Sequence, residues 1–178
     1  MPLWLIGMMG SGKSVVGRVL AAQSDRDFLD TDHLVEVSAG RSIGKIFAEE
    51  GERGFRLRES EAIAAAAVSS GDAVIATGGG AVLVPANVAA MKASGPVVWL
   101  QAHPSTLASR MADQSDRPLL NGRSDEDRSG GGDVEARVAT ILEARLQAYE
   151  AAADYRVPTD HATVQEVAAL IEEIWNAS

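Results

Sequence analysis

Gly7-Met8-Met9-Gly10-Ser11-Gly12-Lys13-Ser14 sets glycines, a lysine and a hydroxyl at the spacing G-x-x-x-x-G-K-[ST]. These residue types together handle polyphosphate. Glycines let successive backbone N–H groups curl around a phosphate, and a helix beginning at the end of the loop adds its partial positive charge. Lys13 is placed to reach the β- and γ-phosphates, and the Ser14 hydroxyl to ligate Mg²⁺. The nucleotide-binding set read from this stretch is therefore Gly10, Ser11, Gly12, Lys13, Ser14 and Val15. The bland alternative is a glycine-rich turn that binds nothing, against which stand an apolar strand before the loop and a helical pattern after it.

A loop of this kind shows nucleotide binding and leaves the class of chemistry open. The usual second element, an aspartate ending a core strand, is absent from Ala73-Val74-Ile75-Ala76-Thr77, which runs instead into Gly78-Gly79-Gly80. The carboxylate that manages Mg²⁺ must come from elsewhere, and Phe28-Leu29-Asp30-Thr31-Asp32 offers two. In a parallel sheet the C-terminal ends of the strands share an edge with the phosphate loop. Two acids two residues apart there can divide the work, one on the metal and one on a substrate hydroxyl. Alternatively, Asp32 N-caps the next helix.

The elements that must position these residues alternate along the chain. Apolar runs at Leu3–Ile6, Phe28–Leu29, Ala73–Thr77, Val97–Leu100 and Tyr155–Val157 read as strands. Helical spacing is found over Ser14–Ser24, Ile43–Glu50, Phe55–Ser69, Pro85–Ser94, Ser105–Ala112, Val134–Ala152 and Thr163–Trp175. This alternation predicts an α/β fold, a five-stranded parallel sheet flanked by helices, in one domain spanning residues 1–178. From Asp113 to Asp133 the chain turns polar, charged and glycine-rich. A loop of that length is a lid, a binding loop or a tolerated insertion. Arg117-Pro118-Leu119-Leu120 favours a lid, whereas the Ser129-Gly130-Gly131-Gly132 end fits an insertion.

Composition narrows the function classes. The 178 residues are 46% hydrophobic and 23% charged, include no cysteine and carry a net charge of −9. Disulfides and thiolate metal sites are excluded, and the acidic balance argues against nucleic acid or an anionic membrane as partner. The N-terminal residues lack the pattern of a signal peptide, and no apolar run approaches the roughly 18 residues of a membrane span. The expected location is the cytoplasm and the expected state a monomer. His33, His103 and His161 lack metal-ligand spacing and read as surface or cap residues.

Beyond the phosphate loop, Asp30-Thr31-Asp32, Gly51-Glu52-Arg53-Gly54-Phe55-Arg56, Gly78-Gly79-Gly80-Ala81-Val82, Arg117-Pro118-Leu119-Leu120 and Arg145-Leu146-Gln147-Ala148-Tyr149 follow in order. In that order and spacing the chain resembles the shikimate kinases over nearly its whole length. The resemblance implies a fold of the nucleoside-monophosphate-kinase type with a mobile lid at about residues 113–133. It implies transfer of the γ-phosphoryl group of ATP to shikimate, giving shikimate 3-phosphate and ADP, with Mg²⁺ as cofactor. It places shikimate on Asp32, Arg56, Arg145 and the Gly78–Gly80 loop. Arg117 would come from the lid onto the phosphates, Asp30 would act on Mg²⁺, and Arg110 would lie against the adenine. Lys13, Asp32 and Arg117 then form the catalytic set.

The chemistry of these residue types agrees. A carboxylate is well gripped by the planar fork of arginine, and consecutive glycines let backbone N–H groups approach a ligand closely. Each arginine also has a bland reading. Arg56 and Arg58, beside Glu59 and Glu61, are equally suited to solvated ion pairs on a helix. Three departures from the family pattern stand out: Val15 where a second hydroxyl is common, Gln147 where proline is frequent, and a long Gly122–Asp133 segment. Other acceptors for the same architecture are gluconate or a nucleoside monophosphate. A rival of another class is a nucleotide-binding module without catalysis.

Overall fold

A computed structural model describes residues 1–112 and 131–177. Five strands, β1 (Leu3–Ile6), β2 (Phe28–Asp30), β3 (Val74–Ala76), β4 (Val97–Gln101) and β5 (Tyr155–Pro158), form one sheet in the order β2-β3-β1-β4-β5. Every pairing is parallel, with Trp4 opposite Ile75 on one side and Val97 on the other. The predicted α/β class and all five strands are thus present, each within a residue or two of its expected bounds.

Among the described residues seven α-helices cover the sheet: α1 (Lys13–Gln23), α2 (Thr31–Ala39), α3 (Ile43–Ser69), α4 (Pro85–Ser94), α5 (Pro104–Ala112), α6 (Gly131–Ala152) and α7 (Val164–Asn176). Alternation along β1 divides the core. Trp4 and Ile6 face one layer, with Ile63, Met91, Leu107, Val138 and Tyr149. Leu3 and Leu5 face the other, with Val16, Leu20, Val167, Ile171 and Trp175. Successive side chains of a strand point to opposite faces, so a four-residue apolar run feeds both layers.

Two elements, α2 and the start of α6, differ from the sequence expectation. Helix α2 lies where no helical pattern was read: of its apolar positions only Val35 is fully buried, in a small cluster with Ile46 and Phe55. Packing against α3 supplies what its own periodicity lacks. The two helices expected at 43–50 and 55–69 are both present and meet within α3 at a kink at Gly51, whose φ of 70° and ψ of −175° leave the helical region. Arg58 crosses that bend to bind both carboxylate oxygens of Glu50 at 2.9 Å. Finally, α6 begins at Gly131, so the Gly131–Asp133 end of the expected lid is helical, while Arg117 and the rest of that segment lie outside the described residues.

No helix among the described residues is long and apolar enough to cross a membrane. His33, His103 and His161 are exposed, as expected. Ile63, with no exposed surface, ties α3 to the Trp4–Ile75 face of the sheet. Ile63→Ala should cost about 3 kcal/mol and lower Tm by roughly 6–12 °C, read by thermal melting.

Candidate active site

The phosphate loop leaves β1 and closes on α1 through left-handed turns at Gly10 (φ 82°) and Gly12 (φ 94°). Within it the Ser11 N–H donates to the Met8 carbonyl at 3.1 Å. Lys13 is buried and folds back over the loop, donating to the carbonyls of Gly7 at 2.8 Å and Met8 at 2.9 Å. Its ammonium therefore sits inside the curl where a phosphate is expected. The Ser11 hydroxyl is also buried and has no hydrogen-bond partner among the described residues, an orphan donor that a phosphate oxygen suits. Val15, the last of the expected set, is half exposed on the first turn of α1.

Across the sheet edge the Ser14 hydroxyl donates to Asp30 Oδ2 at 2.8 Å. Two adjacent hard oxygens, one anionic, beside a phosphate cradle are the donor type Mg²⁺ selects. Asp30 also N-caps α2, its Oδ1 accepting the Asp32 N–H at 3.1 Å. The capping role considered for Asp32 thus belongs to Asp30, and the Asp32 side chain turns toward Gly78 instead.

The Gly78–Gly80 loop at the end of β3 is crowded to the limit by side chains. A Cβ on Gly78 would stand 2.3 Å from Glu59 Oε1 and 2.8 Å from Asp32 Oδ1. One on Gly80 would stand 2.4–2.6 Å from the Arg56 guanidinium. A Cβ at either position would force those side-chain ends to move, so glycine is what lets Glu59, Asp32 and Arg56 lie against this backbone. The loop is held by Thr31, whose hydroxyl accepts the Gly78 N–H at 3.2 Å. From α6, Arg145 Nη1 donates to the Gly79 carbonyl at 3.2 Å and Tyr149 Oη donates to the same oxygen at 2.5 Å. Arg145 also lies 3.9 Å from Met8 Sδ, at the phosphate loop.

Asp32, Arg56, Arg145 and the three glycines, expected together from the sequence, are therefore brought to one place beside the phosphate loop. Gln147, a departure from the family pattern, is exposed on α6. Arg56 and Arg58 divide the two readings considered for them, since Arg56 turns to the glycine loop and Arg58 pairs with Glu50 near the surface. Arg110 stands apart. It donates to Thr159 Oγ1 at 3.0 Å and to the Thr159 carbonyl at 2.6 Å, which braces it against the loop after β5.

Two residues at the site went unread. Glu59 has no exposed surface and binds Arg56 Nη1 at 2.7 Å, while its other oxygen, Oε1, has no hydrogen-bond partner among the described residues. Burial pushes its carboxyl above the usual range, and Arg56 and then Arg145 oppose that. A signal existed: Phe55, Glu59, Ile63 and Ala66 form one buried stripe at helical spacing, so Glu59 occupies an inward position. Tyr149 closes the Arg145–Tyr149 segment, and sequence alone assigns it no role.

Because the folded state holds the Glu59 proton more tightly than an unfolded chain with pKa near 4.5, ionisation of Glu59 opposes folding as pH rises from 4.5 through the raised value. The stability of the wild type relative to Glu59→Gln should therefore fall across that interval. Parallel melts between about pH 4.5 and 7 read it, and a difference that grows with pH would contradict the assigned environment.

Residues 9–175 match the family model for shikimate kinase. A shikimate kinase of Symbiobacterium thermophilum is 46% identical over 175 residues, covering 97% of this chain and 95% of that protein. One from Moorella thermoacetica is 44% identical, covering 97% and 91%. Among solved structures, shikimate kinase from Acinetobacter baumannii in complex with shikimate superposes with a TM-score of 0.86 at 32% identity, covering 99% of this chain and 93% of that one. The Aquifex aeolicus enzyme gives 0.78 at 31%, covering 99% and 98%. With the P-loop and glycine-loop arrangement above, these matches place the chain in the shikimate kinase family.

Proposed function

We propose that this chain transfers the γ-phosphoryl group of ATP to the 3-hydroxyl of shikimate, giving shikimate 3-phosphate and ADP, a step of chorismate and aromatic amino-acid biosynthesis. One observation carries the reading. Two arginines from different helices, Arg56 and Arg145, and the carboxylate of Asp32 converge on the Gly78–Gly80 backbone next to the phosphate loop. An acceptor with one carboxylate and several hydroxyls matches that set.

The division of labour follows from the groups. Arg56 and Arg145 grip the acceptor carboxylate, where guanidinium forks supply direction as well as charge. Asp32 accepts a hydrogen bond from the attacking hydroxyl and takes its proton as the oxygen–phosphorus bond forms. The bond from the γ-phosphorus to the β,γ-bridging oxygen breaks, and the ADP formed stays on the loop N–H groups and Lys13. Ser14 and Asp30 would hold Mg²⁺, which when bound would neutralise phosphate charge. Arg117 adds a further positive charge at the transferring group, and Arg110, steadied by Thr159, lies along the adenine. Phosphoryl transfer needs chiefly such positioning and charge stabilisation. We further place the chain in the cytoplasm, as a monomer with ATP and shikimate as its small-molecule partners and neither nucleic acid nor membrane among them.

The competing acceptors, gluconate and a nucleoside monophosphate, make poorer use of two arginines set around a glycine loop. A module without catalysis has no need of Lys13, Asp30 and Asp32 at one sheet edge.

ADP release from Mg·ATP should be stimulated by shikimate and not by gluconate or a nucleoside monophosphate; stimulation by either of those alone would overturn the acceptor assignment. Lys13→Met should lower kcat by about a hundredfold or more. Arg56→Lys should raise KM for shikimate by about tenfold with KM for ATP little changed, because a point charge replaces a fork.

A further inference from the structure

Three consecutive glycines make the least constrained stretch of backbone a chain can have, and ordering them costs more conformational entropy than any other tripeptide. Binding through such a loop is weak unless other groups hold it in its bound shape beforehand. Its anchors are therefore as informative as its ligand contacts. On the β3 side the Gly78 N–H is held by Thr31, and the Gly78 carbonyl accepts the Ala81 N–H at 3.1 Å. Beyond Gly78 the grip passes to α6, through the Gly79 carbonyl.

That carbonyl has two donors, and they differ in kind. Arg145 is a cation and only partly buried. Tyr149 is neutral and wholly buried, and its ring stacks on Trp99 of β4 with centroids 5.3 Å apart and planes 15° from parallel. Core packing thus fixes where the hydroxyl stands, whether or not a ligand is bound. Desolvation by burial pushes the phenol up to about 12, so it remains a donor at every pH at which the protein is handled. The Gly79–Gly80 peptide is planar, so holding its oxygen fixes the direction of the Gly80 N–H on the opposite side.

We infer that Tyr149 is a positioning residue for the acceptor: its hydroxyl, aimed by the Trp99 stack, locks the Gly79–Gly80 peptide and keeps Arg145 turned toward the acceptor carboxylate. Tyr149 touches no reacting atom. Its effect reaches the acceptor through the glycine loop and leaves the nucleotide side of the site alone. This rests on the shikimate reading above, and the test separates the two.

Tyr149→Phe keeps the ring and the stack and deletes only the hydroxyl. Steady-state kinetics should show KM for shikimate raised about fivefold, the worth of one such hydrogen bond, with KM for ATP unchanged within about twofold. Calorimetric titration with shikimate alone should show the same loss in Kd, and the melting temperature should stay close to wild type. In a double-mutant cycle with Arg145→Lys the two losses should be non-additive, because both side chains act on one carbonyl. An unchanged KM and Kd for shikimate, or equal rises for both substrates with a lowered Tm, would overturn the inference while a wild type active on shikimate upholds the function. A wild type that neither binds nor phosphorylates shikimate would overturn both.

Discussion

The close approach of side chains to the Gly78–Gly80 backbone is the constraint on which the acceptor half of the site depends. Asp32, Glu59 and Arg56 occupy the space that side chains on Gly78 and Gly80 would fill, and Arg145 and Tyr149 hold the carbonyl between them. A larger residue in the loop would push on side chains from both α2 and α3. This explains why β3 ends in glycines and not in the acid that ends a core strand in many nucleotide-binding folds. The backbone itself is used at that point, and the strand-end carboxylate that meets Ser14 lies one strand outward, at Asp30.

Strand order makes the displacement workable. Because β3 lies between β2 and β1, the ends of three neighbouring strands present Asp30, the glycine loop and the phosphate loop side by side. Neighbouring strands stand about 4.8 Å apart, so roughly 10 Å separates the outer two ends, short enough for one small ligand and one polyphosphate to meet. The right-handed crossovers of a parallel sheet place α1, α2 and α3 to either side, and each contributes at its N-terminal end or inner face.

The charge distribution follows the same logic. A chain of net charge −9 gathers Lys13, Arg56 and Arg145 at one edge, and the only wholly buried carboxylate among the described residues, Glu59, is set against one of them. Buried ion pairs are poor sources of stability, because desolvation offsets most of their attraction. The pair is better understood as a device for orientation, since Glu59 fixes where the Arg56 guanidinium lies over Gly80. Its elevated carboxyl range records what that placement costs.

Local patterns in the chain determined a good deal alone. The phosphate loop is a contiguous motif whose chemistry resides in its own backbone, and the five strands are short apolar runs bounded by turn residues. Both were legible because the information is local. The pairing of Asp30 with Ser14 and the convergence of Arg56 and Arg145 were anticipated through the resemblance of the whole pattern to one family, whereas helical spacing left Arg56 and Arg58 equivalent. Only tertiary structure decided between them, because the bend at Gly51 turns Arg58 back to Glu50 and leaves Arg56 facing the glycines. It likewise assigned the helix cap to Asp30, created α2 out of a weakly patterned segment, and brought Tyr149 seventy residues along the chain to Gly79. These are contacts between elements distant in sequence. Their geometry is set by how layers pack on the sheet, and no local spacing encodes that.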